Sequence, residues 1–588
     1  MYILGIFNDH NASACLMKDG KILGLLSEER FNRKKNFRGF PEKSIEYLLK
    51  TWDLKPKDID IVTSSYLLGA LVFLPNTKLN QEGHRILNFC FRFATLLQKL
   101  ISFIQHLPGM RKLYRKAYFI TTRLFNNKTL QLELEFLAKE LHVSKEKITP
   151  RNHHLSHAAA AYFSSPFREE KSLVFTADGG GEGICASVDL FNRHECQSLA
   201  KTDATHSLGM IFYYLTSYLG MKPLEHEYKI MGLAPYAKSS HGDNVYNMIA
   251  DWITLDPQNS MKFTSPFDTH YSYRYIEKTM KGQRFDNVAY AFQKLLEERV
   301  VEWIQKTIRI TNVHTVCVGG GIFMNVKLNM LLEELPEIEK LYVLPSCGDE
   351  STVLGACYLS YLDWCKKHLS SFDIEGLTNI YLGPKYENDE ILTLLKTTSF
   401  SYEYIESIEE IIAELLSQEK IVAVLRGNME FGARALGNRS ILADPSKQKL
   451  VKIINDQVKK RDFWMPFAPT ILEERMEDYL VNPKKIQSPF MMMAFHTTPL
   501  AQKHFPGALH PYDFTMRPQI LTQKANPSYY KIIKAFERIT GIGGVLNTSF
   551  NLHGLPIVLS PSQALDDFRN SHLEYLVLEN YLVKKKIV

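Results

Sequence analysis

Apolar residues fall in short runs separated by glycine- and asparagine-rich turns, and the runs define the elements. Tyr2-Ile3-Leu4-Gly5-Ile6 is followed by the polar Asn8-Asp9-His10-Asn11 and then by Ala12-Ser13-Ala14-Cys15-Leu16-Met17. Lys18-Asp19-Gly20 makes a tight turn before Ile22-Leu23-Gly24-Leu25-Leu26. This spacing predicts a hairpin with polar side chains crowded into its first loop. Further on, Leu173-Val174-Phe175-Thr176-Ala177 leads into Asp178-Gly179-Gly180-Gly181-Glu182-Gly183. Val316-Cys317-Val318 leads likewise into Gly319-Gly320-Gly321, with a helical pattern from Phe323 to Leu332. Strand, glycine-rich turn and helix is the layout of a nucleotide-binding α/β domain.

A break falls at about 366–385. Lys366-Lys367-His368 closes a helix and Leu382-Gly383-Pro384 begins a new unit, with strands at Ile421-Val422-Ala423-Val424-Leu425 and Gly543-Gly544-Val545-Leu546. A chain of 588 residues exceeds one ordinary core. Two α/β domains are therefore expected, at 1–375 and 380–588, with no internal repeat. Residues from about 70 to 130 are apolar and carry Lys78, Arg85, Arg92, Lys99, Arg111, Lys112, Arg115 and Lys116 with hardly any acids. The favoured reading is a helical insertion packed on the first domain; membrane-surface contact is the alternative.

Composition narrows the class. A hydrophobic content of 45% with 23% charged residues is that of a soluble globular protein, and a net charge of +6 over this length is not a nucleic-acid signature. No basic leader with a cleavage site opens the chain, and no apolar run is long enough to span a bilayer. The eight cysteines form no CxxC and read as buried thiols of a cytoplasmic protein, Cys347 beside Asp349 being the one to watch.

The candidate chemistry lies in the turns. His153 and His157, four apart in His153-His154-Leu155-Ser156-His157, share one face if helical, a ready pair of metal ligands. The acidic turn Cys347-Gly348-Asp349-Glu350 offers Asp349 as a third ligand. Gly179, Gly180, Gly319, Gly320 and Gly321 let backbone N–H groups approach phosphates. Asp178 would hold a phosphate-bound cation, Asn325 would close over an adenosine, and His10 could take a proton from a hydroxyl. Lys229 and Glu227 form an ion pair or face the site. In the second domain Arg434, Lys459, Arg517, Asn547 and Ser549 would form a pocket for a nucleotide and an acyl phosphate. Surface histidines, ordinary turns and solvated arginines are the plain alternatives.

Six stretches carry a resemblance: HHLSHA at His153, EYKIMGLAPY at Glu227, GGGIFMN at Gly319, CGDE at Cys347, FGARALGNRSILADP at Phe431 and LNTSFN at Leu546. In these the chain resembles the O-carbamoyltransferases of the nodulation protein U and tobramycin carbamoyltransferase type. The resemblance implies an N-terminal actin/Hsp70-type ATPase-like domain and a C-terminal YrdC-like domain. It implies that carbamoyl phosphate and Mg-ATP form carbamoyl-adenylate with release of pyrophosphate. The carbamoyl group then passes to a small-molecule hydroxyl and AMP departs. It further implies that His153, His157 and Asp349 bind a divalent metal, iron by resemblance, though manganese or zinc also suits these ligands. His10 would act near the acceptor hydroxyl, and Lys459, Arg434, Arg517, Asn547 and Ser549 would line the adenylate-forming pocket. Met465 stands where the family usually has arginine, with Lys460 or Arg461 placed to compensate. A tRNA-modifying protein on the same folds, or an inactive membrane- or partner-binding scaffold, are the competing expectations.

Overall fold

The computed structural model describes residues 1–65 and 130–585. The expected insertion at about 70–130 therefore lies outside the described residues. The helical residues 130–141 that follow it bury Phe136, Leu137 and Leu141 in an apolar cluster with Leu4, Leu16 and Leu48.

The opening runs fold as expected. Strands β1 (Tyr2–Phe7), β2 (Ser13–Lys18) and β3 (Lys21–Ser27) form an antiparallel meander, extended by parallel β4 (Ile61–Ser64) and β5 (Ile148–Pro150) in the order β3-β2-β1-β4-β5. A second sheet is built from β6 (Ser172–Gly181), β7 (Ile184–Asn192), β8 (Glu195–Asp203), β9 (Thr315–Gly319) and β10 (Lys340–Val343). Its order is β8-β7-β6-β9-β10, again antiparallel among the first three and parallel thereafter. The two sheets thus share one topology, a duplication invisible in the sequence because it survives in strand order and not in residue identity.

Among the helices that accompany these sheets are α1 (His153–Ser164), α2 (Glu227–Leu233), α3 (Phe285–Thr311), α4 (Val326–Glu334) and α5 (Thr352–Lys367). Helix α1 packs on the second sheet, α5 on the first, and the two cross each other. They cross at Gly355, where a Cβ would overlap the Ser156 carbonyl oxygen.

The third sheet is mixed and eight-stranded. It comprises β11 (Ser401–Tyr404), β12 (Val422–Leu425), β13 (Arg439–Ala443), β14 (Ala468–Leu472), β15 (Gln519–Leu521), β16 (Gly544–Ser549), β17 (Tyr575–Leu578) and β18 (Tyr581–Lys584). Their spatial order is β11-β18-β17-β12-β13-β16-β14-β15. Helices α6 (Ile408–Ser417) and α7 (Pro527–Thr540) pack on each other beside it. The described residues are α/β throughout.

Two expectations need correction. The Asp178 glycine segment is not a loop after the strand, because β6 continues through it to Gly181 and turns directly into β7. Residues 321–324 form a short 3-10 turn, and the helix begins only at Val326, where the Asn325 side chain caps it.

Polar contacts bind the third sheet to the rest. The Lys484 ammonium donates to the carbonyls of Glu333, Leu335 and Ile338 at the C-terminus of α4, where the helix dipole favours a cation. The Asn329 amide bridges Phe323 O (2.8 Å) and Met492 O (2.7 Å). Arg30 donates to Gly432 O at 2.7 Å, and Arg33 to Asp567 at 2.6 Å.

The Phe431–Ser440 loop is held by two buried ions. Glu430 Oε1 accepts from the backbone N–H of Leu436 (2.7 Å), Asn438 (3.3 Å) and Arg439 (3.1 Å). The fully buried Arg439 guanidinium donates to the carbonyls of Pro384, Arg426, Gly427, Asn438 and Leu559. Replacing Arg439 with Met would leave those carbonyls and the Glu430 carboxylate without their cation. Arg439→Met is expected to destabilise the chain by roughly 3–5 kcal/mol, read as a lowered midpoint in urea unfolding. A midpoint equal to that of the unmodified chain would refute this role.

Candidate active site

Helix α1 starts at His153 because the Asn152 side chain accepts from Leu155 N at 3.0 Å. His153 and His157 consequently stand on one face, both buried. The His153 ring lies where a Cβ on Gly181 would be, so glycine is required there. Asp349 enters from the turn before α5, and Asp178 from β6. His157 Nε2 is 3.2 Å from Asp349 Oδ1 and 3.4 Å from Asp178 Oδ2; His153 Nε2 is 3.5 and 3.1 Å from the same two oxygens. One ligand atom from each of these four residues lies within 4.8 Å of every other.

The charges explain the need for a cation. Burial works against the charged form of His153, but Asp349 and Asp178 outweigh it and push its ring well above the ordinary imidazole range. Burial likewise opposes charge on Asp178 and Asp349, yet the surrounding imidazoles hold both carboxyls far below the usual range. Among the described residues neither carboxylate pairs with a lysine or arginine; their ion-pair partners are all histidines. A buried and a half-buried carboxylate facing imidazoles fit a divalent metal of the iron, manganese or zinc kind. Asp178, read from sequence as a contact to a phosphate-bound cation, joins the ligand group itself. His154 does not: its ring bonds Thr176 Oγ1 (2.7 Å) and the Ile184 carbonyl (2.9 Å). Cys347 is a buried thiol that burial keeps protonated, with its Sγ 3.2 Å from Leu344 O.

His10 lies beside this group, with Nε2 3.4 Å from Asp349 Oδ2. The glycine loops border it. Ser207 Oγ donates to the Asp178 and Gly179 carbonyls, both at 3.0 Å. Gly320, at φ +93°, passes so close to β6 that a Cβ would sit 2.5 Å from Ala177 O, while Gly321 faces open space. Asn325 is committed to structure. It caps α4 and exchanges amide hydrogen bonds of 2.9 and 3.1 Å with Gln293 on α3. Gln293 in turn lines a cavity of about 590 Å³ with Met231, Pro235, Glu297, Lys327 and Asp513.

The other centre is basic and lies on the third sheet. Lys459 ends a π-turn (Asn455–Lys459), a break in helix geometry common at functional sites. Its ammonium donates to Ser549 Oγ (2.9 Å) and Asn551 Oδ1 (2.8 Å). Burial pushes it well below the usual lysine range, and Arg461 and Lys35 add repulsion. Arg434 is lowered to about 10 by burial, with the Arg461 charge adding to it, and Arg517 is lowered further by burial and by Arg434 and Arg461. Among the described residues no carboxylate pairs with Arg434, Arg461 or Arg517. Three guanidinium groups and an ammonium without a counter-charge make an anion site.

Some residues stand elsewhere than sequence placed them. Asn547 faces Ala435 O (3.2 Å) and Thr470 Oγ1 (3.1 Å), so it ties the Arg434 loop to β14. Lys229 pairs with Asp462 at 2.9 Å and not with Glu227. Met465 packs over Gly232, its Sδ 3.0 Å from where a Cβ would be. Lys460 turns outward in a left-handed conformation, whereas Arg461 joins the basic cluster, bonds Thr548 Oγ1 at 3.2 Å and lies over the Phe467 ring. Tyr228 and Lys35, which act on these cations from the first part of the chain, carry no sequence signal of their own.

Metal binding separates a four-residue group from the three-residue set read in the sequence. Asp178→Asn is expected to weaken binding of Fe(II), Mn(II) or Zn(II) by roughly 10- to 100-fold, measured by metal analysis after anaerobic loading and desalting. Unchanged affinity would remove Asp178 from the group.

The Carbamoyltransferase N-terminus family model matches residues 2–358, and the Carbamoyltransferase C-terminus model residues 413–585. An uncharacterized protein of Methanocaldococcus jannaschii is 33% identical over 99% of this chain and 99% of its own. Another from Synechocystis sp. is 30% identical over 99% of this chain and 97% of its own. Nodulation protein NolNO of Sinorhizobium fredii is 29% identical over 98% of this chain and 79% of its own. With both halves matched and the six motifs in place, the chain belongs to the carbamoyltransferase family.

Proposed function

We propose that this chain is an ATP-dependent O-carbamoyltransferase with two successive half-reactions, one at each centre. The observation that carries the reading is the opposition of charge between them. The Lys459–Arg434–Arg461–Arg517 cluster is short of anions, and the Asp178–Asp349–histidine group is short of a cation. The first suits carbamoyl phosphate and the triphosphate of ATP; the second suits a divalent metal, iron by family resemblance.

Carbamate acylates poorly because its leaving group is poor. In the first half-reaction carbamoyl phosphate loses orthophosphate to water, the carbamate oxygen attacks the α-phosphorus of ATP, and pyrophosphate leaves. Guanidinium groups aimed at the phosphates offset the charge that develops there. Arg461 takes over the contact that an arginine at position 465 would make. Lys459, oriented by Ser549 and Asn551, holds the carbamate end.

In the second half-reaction an acceptor hydroxyl attacks the carbamoyl carbon, its proton passes to His10 Nε2, and AMP leaves. A divalent metal held by His153, His157, Asp178 and Asp349 would polarise the mixed anhydride there. The backbone of Gly179, Gly180 and Gly319–Gly321 would receive the phosphate, and the cavity beside Gln293 and Asn325 the nucleoside. The shared topology of the first two sheets supports an actin/Hsp70-type reading of residues 1–375, and residues 380–588 are read as YrdC-like. The acceptor is a small molecule bearing a hydroxyl, such as a sugar or natural product.

The purified chain is expected to release pyrophosphate from ATP only when carbamoyl phosphate is present, without any acceptor. Lys459→Ala should abolish that release. Arg461→Met should lower its kcat/KM by roughly 10- to 100-fold, the loss of one charged hydrogen bond. Release independent of carbamoyl phosphate, or undiminished in Lys459→Ala, would overturn the assignment.

A further inference from the structure

His10 is carried on the hairpin loop between β1 and β2, where the chain turns through a left-handed Asn11 (φ +59°). Two neighbours restrain the ring: Phe7, edge to face at 6.1 Å, and the Asp349 carboxylate. The loop itself is held by something else.

The buried Asp9 side chain turns back on its own loop. Its Oδ1 accepts the His10 backbone N–H at 2.7 Å and forms an ion pair with the Arg38 guanidinium, Nε standing 2.7 Å away. The segment carrying Arg38 lies alongside as an added edge: His10 and Arg38 form an antiparallel bridge, and Ala12 N donates to Phe37 O at 3.1 Å. That segment is anchored at its far end to the third sheet, through Arg30 to Gly432 O and through Arg33 to Asp567. Between the anchors Lys35 pairs with Glu225 at 2.7 Å. The segment carrying Arg38 thus has anchors of its own besides its contacts with the His10 loop.

We propose that Arg38, acting through Asp9, is a positioning residue for His10. The inference rests on the reading of His10 as the proton acceptor. Without Arg38 the buried Asp9 carboxylate loses its cation, and such a charge draws in water or moves outward. The His10 amide, bonded to the same oxygen, moves with it. Because His10 Nε2 stands 3.4 Å from Asp349 Oδ2, a shift of the loop by about 1 Å misplaces it for proton transfer.

Diethyl pyrocarbonate labelling of the full chain, resolved by peptide mass spectrometry, tests this without depending on turnover. In Arg38→Met the labelling rate of His10 should rise by roughly tenfold or more, while the exposed His241 is unchanged as internal reference. Arg38→Lys, which keeps a cation beside Asp9, should restore most of the protection. Asp9→Asn should expose His10 to a similar extent as Arg38→Met and covers the case in which Arg38→Met does not fold. Pyrophosphate release, which depends on the other centre, should stay within twofold of the unmodified chain in Arg38→Met. Equal His10 labelling in the unmodified chain, Arg38→Met and Asp9→Asn, or no recovery in Arg38→Lys, would overturn the proposal. Absence of pyrophosphate release in the unmodified chain would instead count against the proposed function, and the labelling would still decide Arg38.

Discussion

The crossing of α1 and α5 sets the spacing of everything around the metal group. Each helix lies on one of two sheets of identical topology, and the two touch at Gly355 against Ser156, a contact only glycine permits. Because they meet near their N-terminal ends, His153 and His157 at the start of α1 face Asp349 at the start of α5. The N-terminus of α5 carries partial positive charge, which favours the Asp349 carboxylate presented there. Asp178 arrives from β6, the strand on which α1 packs. The four groups come from three separated segments, and the helix contact brings them within reach.

The basic centre answers to a different constraint. Its arginines repel one another and Lys459, and burial penalises each charge, so the loop carrying Arg434 must be held rigidly by other means. Glu430 and Arg439 do this by bonding backbone groups of that loop and its neighbours. The anion site is therefore kept at an electrostatic disadvantage that a bound phosphate would offset. Contacts from Arg30, Arg33 and Lys35 connect it to the segment that also touches the His10 loop, so the two centres share one strap of chain.

Much of this was legible in the sequence, and what was missed has physical reasons. Alternating apolar runs located β1–β3, β6, β9, β12 and β16, because strand patterns survive without long-range information. The i,i+4 histidines were read as one face, which α1 provides. The Asp178 glycines read as a loop after a strand, but the strand runs on through them to a hairpin, since glycine clusters do not mark where pairing stops. Sequence assigns Asp178 a phosphate-bound cation and not the histidine group, because its distance from His153 depends on sheet geometry. Asn325 has its amide committed to Gln293 and Leu328, whereas Asn547 commits its NH2 to Ala435 and Thr470 and keeps its buried Oδ1 without a partner among the described residues. Arg461 and Tyr228 show their place only when two distant segments pack together. The duplication of the first two sheets leaves no sequence repeat at all.

The division of labour between the two centres is tested most directly by His157→Ala assayed for pyrophosphate release from ATP and carbamoyl phosphate. If adenylate formation belongs to the basic centre alone, the variant should release pyrophosphate within about threefold of the unmodified rate although its metal affinity is lost, as expected when only the second step needs that group. Loss of pyrophosphate release in a variant that remains folded would mean that the metal group takes part in the first step, and that the two centres are not separate catalysts.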